Sequence, residues 1–260
     1  ATWYYDPAQY ARELDAIWYR DWICVGRTDE LREAGDYVVA TIGDQSLVLT
    51  RDREDRVHAF HNTCRHRGSK LCTEPRGRFA NGRIVCPYHA WSYGLGGELL
   101  TTPRMELPSD FRREEYPLYI AHLDSWGGFL FVNLSDTPAS DLASFLGDEA
   151  EQVRRWPLAD LVLVHREVST LACNWKVFWE NYSECYHCPG IHPELCRIMP
   201  LYREGLQSYT DSRTGAPHGD ASDSRARVGP GFATWTLEGQ SKLPLIDGPS
   251  EADRALGVVF

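Results

Sequence analysis

The chain has 260 residues, 43% hydrophobic and 25% charged, which gives enough apolar volume for one or two globular cores. Its 27 basic and 37 acidic residues leave a formal net charge of −10, so there is no electrostatic reason to expect nucleic acid as a partner. No apolar run approaches the ~20 residues that a bilayer span needs, and ATWYYDPAQY lacks a basic-then-apolar signal region, so no membrane association and a cytoplasmic location are expected.

Residues 4–20 space their apolar side chains by three and four and predict an amphipathic helix, part of an N-terminal helical arm over 1–34. From Gly35 the pattern changes to short β-runs: YVVATI, SLVLTR and VHAF, then GRIV, SYGLGGELL and GGFLFVNL. These predict a small antiparallel β-domain over 35–155, and the charged stretch after SDTPASD predicts a helix at its end. A second unit over 156–260 opens with LVLVHREVSTLAC, read as a strand. Asn174 then caps a helix running to His187, which Pro189-Gly190 ends. Residues 203–230 are polar and predict a long surface loop or lid.

Two short segments carry the chemistry. Cys64-Arg-His66 follows the VHAF strand, and Cys86-Pro-Tyr-His89 follows GRIV. Each supplies one thiolate and one imidazole. A diiron–disulfur cluster with mixed ligands takes both cysteines on one iron and both histidines on the other. Neutral imidazoles in place of two thiolates raise its potential to roughly −150 to +300 mV, against about −400 mV for plant-type clusters. Tetrahedral zinc also accepts two cysteines and two histidines. Zinc knuckles, however, usually pair cysteine with cysteine and histidine with histidine, and the one-of-each loops here favour the cluster. The other cysteines, Cys24, Cys72, Cys173, Cys185, Cys188 and Cys196, have no framework spacing and are expected to be small buried thiols.

A second candidate centre lies on the helix ending at His187. Glu180, Glu184 and His187 fall at i, i+4 and i+7, on one helix face. His192, just before Pro193, is expected to cap a further helix, and two histidines across one tight turn can reach one metal. With a carboxylate they would form the facial triad of oxygen-activating ferrous enzymes. His58, His61, His122, His165 and His218 have no such context and are read as ordinary core or surface residues.

The run HNTCRHRG…CPYHAWSY resembles the Rieske signature of the ring-hydroxylating oxygenase α-subunit family, and NWKxFxENYxECYHxxxxH is similar to its iron-binding motif. That resemblance implies an α+β chain: an antiparallel β Rieske [2Fe-2S] domain held at Cys64, His66, Cys86 and His89, followed by a helix-grip catalytic domain. It implies a mononuclear Fe(II) on His187 and His192, with Glu184 linking the two centres. NAD(P)H electrons would arrive through a separate reductase, or a ferredoxin. It also implies a head-to-tail homotrimer in which His89 of one subunit meets Glu184 of the next. The family's third iron ligand is a carboxylate far downstream. None of Asp211, Asp220, Asp223, Asp247 and Asp253 has a context that assigns it, and the chain stops at Phe260 within LGVVF, so the catalytic domain is expected to be incomplete.

Glu at position 184 makes the motif look more like the betaine, stachydrine and carnitine oxygenases than the naphthalene type. That favours oxidative N-demethylation of a quaternary ammonium compound. Trp179, Tyr182, Tyr202, Tyr209, Phe232 and Trp235 are candidate cation–π partners, although most are read as core. An aromatic mono- or dioxygenase is the alternative. A non-catalytic Rieske electron carrier and a zinc-stabilised binding module are the readings from other classes.

Overall fold

The computed structural model describes residues 2–154, 156–183 and 186–198. The chain divides into two compact units, Asp6–Ser169 and Ala1–Tyr5 with Thr170–Phe260. The expected N-terminal helix is broken: α1 is Thr2–Tyr5, α2 is Pro7–Glu13, and a π-turn covers Leu14–Trp18. Asp6 is the reason for the break, since it caps α2 by accepting from the Ala8 N–H and puts Pro7 in the first turn, where no amide is needed.

The first unit is antiparallel throughout. Strand β1 is Ile23–Arg27, β2 Asp36–Ile42, β3 Gln45–Arg51, β4 Val57–His61 and β5 Arg76–Arg78. They are followed by β6 Arg83–Val85, β7 Ser92–Gly94, β8 Leu99–Thr101, β9 His122–Trp126 and β10 Phe129–Asn133. Three sheets result, in the orders β1-β10-β9, β4-β3-β2-β5 and β6-β7-β8. Most of the expected β-runs form strands, and β2 and β10 turn alternate side chains to the core: Val38 and Ile42 are buried in β2, and Leu130 and Val132 in β10. One core gathers Leu31, Val38, Leu47, Leu49, Leu130 and Val132. The other packs Phe60, Ile84, Trp91, Tyr93 and Leu118 around Cys64 and Cys86. Helix α3, Leu142–Gln152, is capped by Asp141 and interrupted at Gly147.

The strand expected at 161–173 does not form, and the backbone partners explain why. Arg27 lies at the end of β1 and is buried. It donates to the carbonyls of Leu158 (2.9 Å) and Leu161 (2.6 Å), while its Nε holds Asp29 at 3.0 Å. Asp29 in turn accepts from the Leu163 N–H at 2.8 Å, and Glu30 accepts from Arg166 at 2.6 Å. The groups that a sheet ladder would use are bound to side chains instead, and Val164 and Val168 face outward. The cysteine expectation also needs correction. Cys72, Cys188 and Cys196 are buried, but Cys24 and Cys173 are exposed, and Cys185 lies outside the described residues.

In the second unit Asn174 caps α4, Trp175–Tyr182, by accepting from the Lys176 N–H at 3.0 Å. The helix stops at Tyr182 rather than continuing to His187, and the Ser183 hydroxyl turns back onto the Trp179 carbonyl at 2.8 Å. Two short helices follow, α5 Cys188–Ile191 and α6 Pro193–Ile198. Pro189 therefore sits in the first turn of α5 instead of terminating a helix. Among the described residues no helix is long and apolar enough to cross a membrane.

The two ligand loops share one backbone frame. The Cys64 N–H donates to the Ser69 carbonyl (2.9 Å) while the Cys64 carbonyl accepts from the Gly68 N–H (3.0 Å). Likewise the Cys86 N–H donates to the Trp91 carbonyl (2.8 Å), and the Cys86 carbonyl accepts from the Ala90 N–H (3.0 Å). Both loops turn through a left-handed residue at the fifth position, Gly68 at φ 69° and Ala90 at φ 59°. Glycine adopts that conformation without cost, whereas alanine is strained there by about 1–2 kcal/mol. Ala90→Gly is accordingly expected to hold or raise the melting temperature and Ala90→Val to lower it. Calorimetry of the three proteins checks this, and a lower melting temperature for the glycine variant would refute the strain.

Asp52 offers a pH test of the β3–β4 turn. Its side chain is 4% exposed, accepts the His58 Nε2 at 2.7 Å and the Arg56 Nε at 2.9 Å, and caps the amides of Glu54 and Arg56. Burial pushes the carboxyl up, but the His58 and Arg56 bonds outweigh it and hold the carboxyl at about 2, below its ordinary 3.8. Its stabilisation is full above pH ~4 and is lost as pH falls through about 2. Asp52→Asn is expected to cost about 1–3 kcal/mol at pH 7. In acid the two unfolding curves should converge below pH ~2, and a gap that persists there would reject this account.

Candidate cluster and metal site

The cysteine thiols sit inside and the imidazoles outside. Cys64 and Cys86 are 2% and 3% exposed, His66 is half-buried, and His89 is exposed. Burial pushes the Cys64 thiol up, and the adjoining Cys86 thiol adds to the shift. The rings of His66 and His89 approach edge to face, with centroids 4.9 Å apart. Partial burial and the neighbouring His89 and Arg67 charges lower the His66 pKa, which favours the neutral imidazole that a metal takes.

Among the described residues no three His, Cys, Asp or Glu side chains come close enough together to share one ion. The donors come as a pair of sulfurs and a pair of imidazoles. Tetrahedral zinc needs four donors on one point, whereas a diiron–disulfur cluster takes two protein donors on each iron. The donor set therefore fits the cluster.

Several side chains that the sequence reading gave no role fix this frame. Tyr93, fully buried, has its hydroxyl 3.3 Å from Cys64 Sγ while accepting from the Arg65 N–H at 3.1 Å. Either atom can donate while the thiol is protonated, but toward a ligated thiolate only the hydroxyl can, and hydrogen bonds to the sulfurs help set cluster potentials. Burial, and then the Cys64 contact, raise the phenol well above its ordinary pKa, so it remains a donor. Trp91 lies parallel to His66 at 4.9 Å, and its Nε1 donates to Met105 Sδ at 3.1 Å.

Arg65 anchors the first loop from outside. It donates to the Pro117 carbonyl at 2.7 Å and lies 4.2 Å over the Tyr119 ring. Asn62, buried before Cys64, clamps the loop's far side: its Oδ1 accepts from the amides of Leu71 and Cys72, and its Nδ2 donates to the Cys72 carbonyl at 2.7 Å. Tyr93 and Trp91 stand within CPYHAWSY, so their positions were visible in the motif. The reach of Asn62 and Arg65 depends on tertiary contacts and left no signal.

In the second unit His187 precedes α5 and His192 lies between α5 and α6. One turn of helix thus brings their rings to 5.4 Å, near perpendicular. Two imidazoles in that arrangement can ligate one ion from adjacent directions. Glu184, expected to link the centres, lies outside the described residues, as do Tyr202, Tyr209, Phe232, Trp235 and the five candidate aspartates. Glu180 is described, and its carboxylate accepts from the Tyr4 hydroxyl at 2.6 Å. On α4, Trp179 stacks on Tyr182 at 5.6 Å, and both rings are exposed.

Two family models match the chain: the Rieske [2Fe-2S] domain over residues 21–112, and the ring hydroxylating alpha subunit (catalytic domain) over 158–258. A glycine betaine monooxygenase oxygenase subunit from Chromohalobacter salexigens is 38% identical, over 76% of this chain and 44% of that protein. A carnitine monooxygenase oxygenase subunit from Escherichia coli K12 is 35% identical, over 74% of this chain and 51% of that protein. The chain thus spans about half the length of the curated relatives it matches. A solved quaternary ammonium Rieske monooxygenase superposes with a TM-score of 0.70 at 31% identity, covering 76% of this chain and 55% of that one. With the two domain models in sequence and the paired donors in place, the chain belongs to the Rieske-type ring-hydroxylating oxygenase α-subunit family.

Proposed function

We propose that this chain provides the terminal oxygenase component of a monooxygenase acting on a small quaternary ammonium compound, with electrons supplied by an NAD(P)H reductase. The observation that carries the reading is the pairing of donors. Two matched loops present a buried sulfur pair and an outer imidazole pair, and a separate turn presents His187 beside His192. When bound, a Rieske cluster supplies single electrons at moderate potential, and a mononuclear Fe(II) supplies the site for O₂ activation.

The residues have separate tasks. Cys64 and Cys86 would hold one iron of the cluster, and His66 and His89 would hold the other. Tyr93 would donate to the Cys64 thiolate and restrain the charge on its sulfur, while Trp91 stacks on His66 and fixes its plane. His187 and His192 would hold the mononuclear iron. Glu184 serves as the link between centres, with His89 of a neighbouring subunit on its other side in a homotrimer. The relatives, which include glycine betaine, choline and carnitine monooxygenases, support an N-methylated cation as substrate. The stacked Trp179 and Tyr182 offer ring faces of the type that attract such a cation by about 0.5–2 kcal/mol each.

Metal content separates the two centres. Cys64→Ala and His89→Ala are expected to abolish the red-brown absorbance and the reduced-state EPR signal. His187→Ala should keep both and lose one iron per chain. Glu184→Ala should keep every metal and remain reducible at the cluster, yet fail in single-turnover transfer to the iron. A coloured, EPR-active Cys64→Ala protein would overturn the cluster assignment.

Substrate class is tested with reductase, O₂ and a panel of glycine betaine, choline and carnitine beside benzoate and naphthalene. Product formation from the ammonium compounds, read as formaldehyde for N-demethylation or as an oxidised choline, is the expected result. A diol or phenol from the aromatic compounds, with no turnover of the cations, would reject the proposal.

A further inference from the structure

Four neighbours hold the Trp91 ring. Its face lies on His66 at 4.9 Å, with only 6° between the planes. Phe111 and Tyr116, themselves stacked at 4.6 Å, meet it edge to face with centroids 6.3 Å away. Trp91 is 3% exposed, so its one polar group, the indole N–H, needs an acceptor inside the protein. Among the described residues that acceptor is the Met105 sulfur at 3.1 Å, and a thioether is a weak one. A buried donor that rests on a weak acceptor is sensitive to any change in that acceptor.

Met105 is where such a change can reach the site from solvent. It is 40% exposed and follows Arg104, which turns the chain at φ 60°. The other methionine of the chain, Met199, lies outside the described residues. Peroxides oxidise an accessible thioether to the sulfoxide. The sulfur gives up two electrons, the peroxide O–O bond breaks, one oxygen joins the sulfur and the other leaves as water. Hydrogen peroxide is the two-electron reduction product of O₂, so it arises wherever electrons reach O₂ without passing to a substrate. The sulfoxide presents a polar oxygen where a soft sulfur stood, and that oxygen is the stronger acceptor.

We propose that Met105 is an oxidation site through which hydrogen peroxide makes the cluster centre harder to reduce. The inference rests on the proposed function, because it requires a cluster on His66. His66, Phe111 and Tyr116 pack against the indole and keep it in place, whereas the exposed Met105 side chain can rearrange and keep the N–H paired through its new oxygen. A stronger acceptor polarises the N–H bond and leaves the indole more electron-rich. That ring face lies on His66, and an electron-rich face favours the more positive, oxidised cluster. The potential of the site falls with oxidation of Met105, and methionine sulfoxide reductases restore it.

The test uses the purified full chain with its metals in the resting, oxidised form and two variants. Met105→Leu keeps the side-chain size and removes the sulfur, and Trp91→Phe keeps a ring on His66 and removes the N–H. Each protein receives hydrogen peroxide at the highest dose that leaves the visible cluster absorbance unchanged, and catalase stops the reaction. Peptide mass spectrometry reads the oxygen added at Met105, and a redox titration followed by absorbance reads the cluster. A parent protein without cluster absorbance before peroxide defeats the proposed function, and the inference with it; every later outcome bears on the inference alone. In the parent, one oxygen at Met105 is expected, and the ratio of reduced to oxidised cluster at a fixed ambient potential should fall about 2–5-fold. Methionine sulfoxide reductases of both stereospecificities, with a thiol reductant, should reverse the mass and the ratio together. Met105→Leu should show no fall, and Trp91→Phe should take up the oxygen without the fall. Absence of oxygen at Met105, or oxygen there with an unchanged ratio, would overturn the inference. So would an equal fall in either variant, since the peroxide would then be acting by a route other than the Met105–Trp91 contact.

Discussion

Everything at the cluster site depends on how the two cysteine peptides are held. Each uses its N–H and its C=O in the same small ring of hydrogen bonds, and each ring needs a left-handed residue to close. The consequence is geometric. Two loops, one leading out of β4 and one joining the paired strands β6 and β7, present their cysteines at equivalent positions, so both side chains turn into one core with Phe60, Ile84 and Tyr93. The histidines stand two and three residues further along, where the loops have come back to the surface. An inner sulfur side and an outer nitrogen side follow from backbone closure and residue spacing, before any metal is considered.

Burial of two thiols makes the site selective. A lone thiolate in an apolar core is costly, and the raised Cys64 pKa expresses that cost. Metal ligation needs the thiolate, so loading is coupled to loss of a proton, and the donors around the sulfur decide how hard that loss is. Tyr93 helps there, because its hydroxyl accepts from the Arg65 amide and is left oriented toward Cys64. The surrounding scaffold keeps these donors in register. Asn62 satisfies both its amide groups on the segment that returns from the loop, and a buried polar side chain fully bonded in this way rigidifies where a half-bonded one would weaken.

The parts legible in the sequence were those whose signal is local. The β-runs in 35–135 are short, apolar and separated by turn residues, and the cysteine–histidine pairs lie within four residues of chain. The misreadings have separate causes, one distant and one local. LVLVHREV has the composition of a strand, yet Arg27, Asp29 and Glu30, more than a hundred residues earlier, take up its backbone and charged groups. The helix from Asn174 kept its period on paper through His187, but a Ser183 hydroxyl turned back onto a carbonyl ends it at Tyr182. Pro189 looked like a terminator because it was placed at the end of that helix; at the start of the next one it fits without strain. The His187–His192 pair survived this shift because the turn between them, rather than the preceding helix, sets their approach.

The cations on the ligand loops bear on the cluster site itself. Reduction adds one negative charge, and unpaired positive charges nearby stabilise the reduced form, which raises the potential. Arg65 and Arg67 flank His66 directly, while Arg83 and Arg104 lie further along the chain from the ligands. An exposed charge acts across solvent and fades beyond a Debye length of about 8 Å in physiological salt. The influence of Arg65 on a half-buried ligand is carried partly through protein and is screened less, so Arg65 is the cation whose effect on the site depends least on ionic strength.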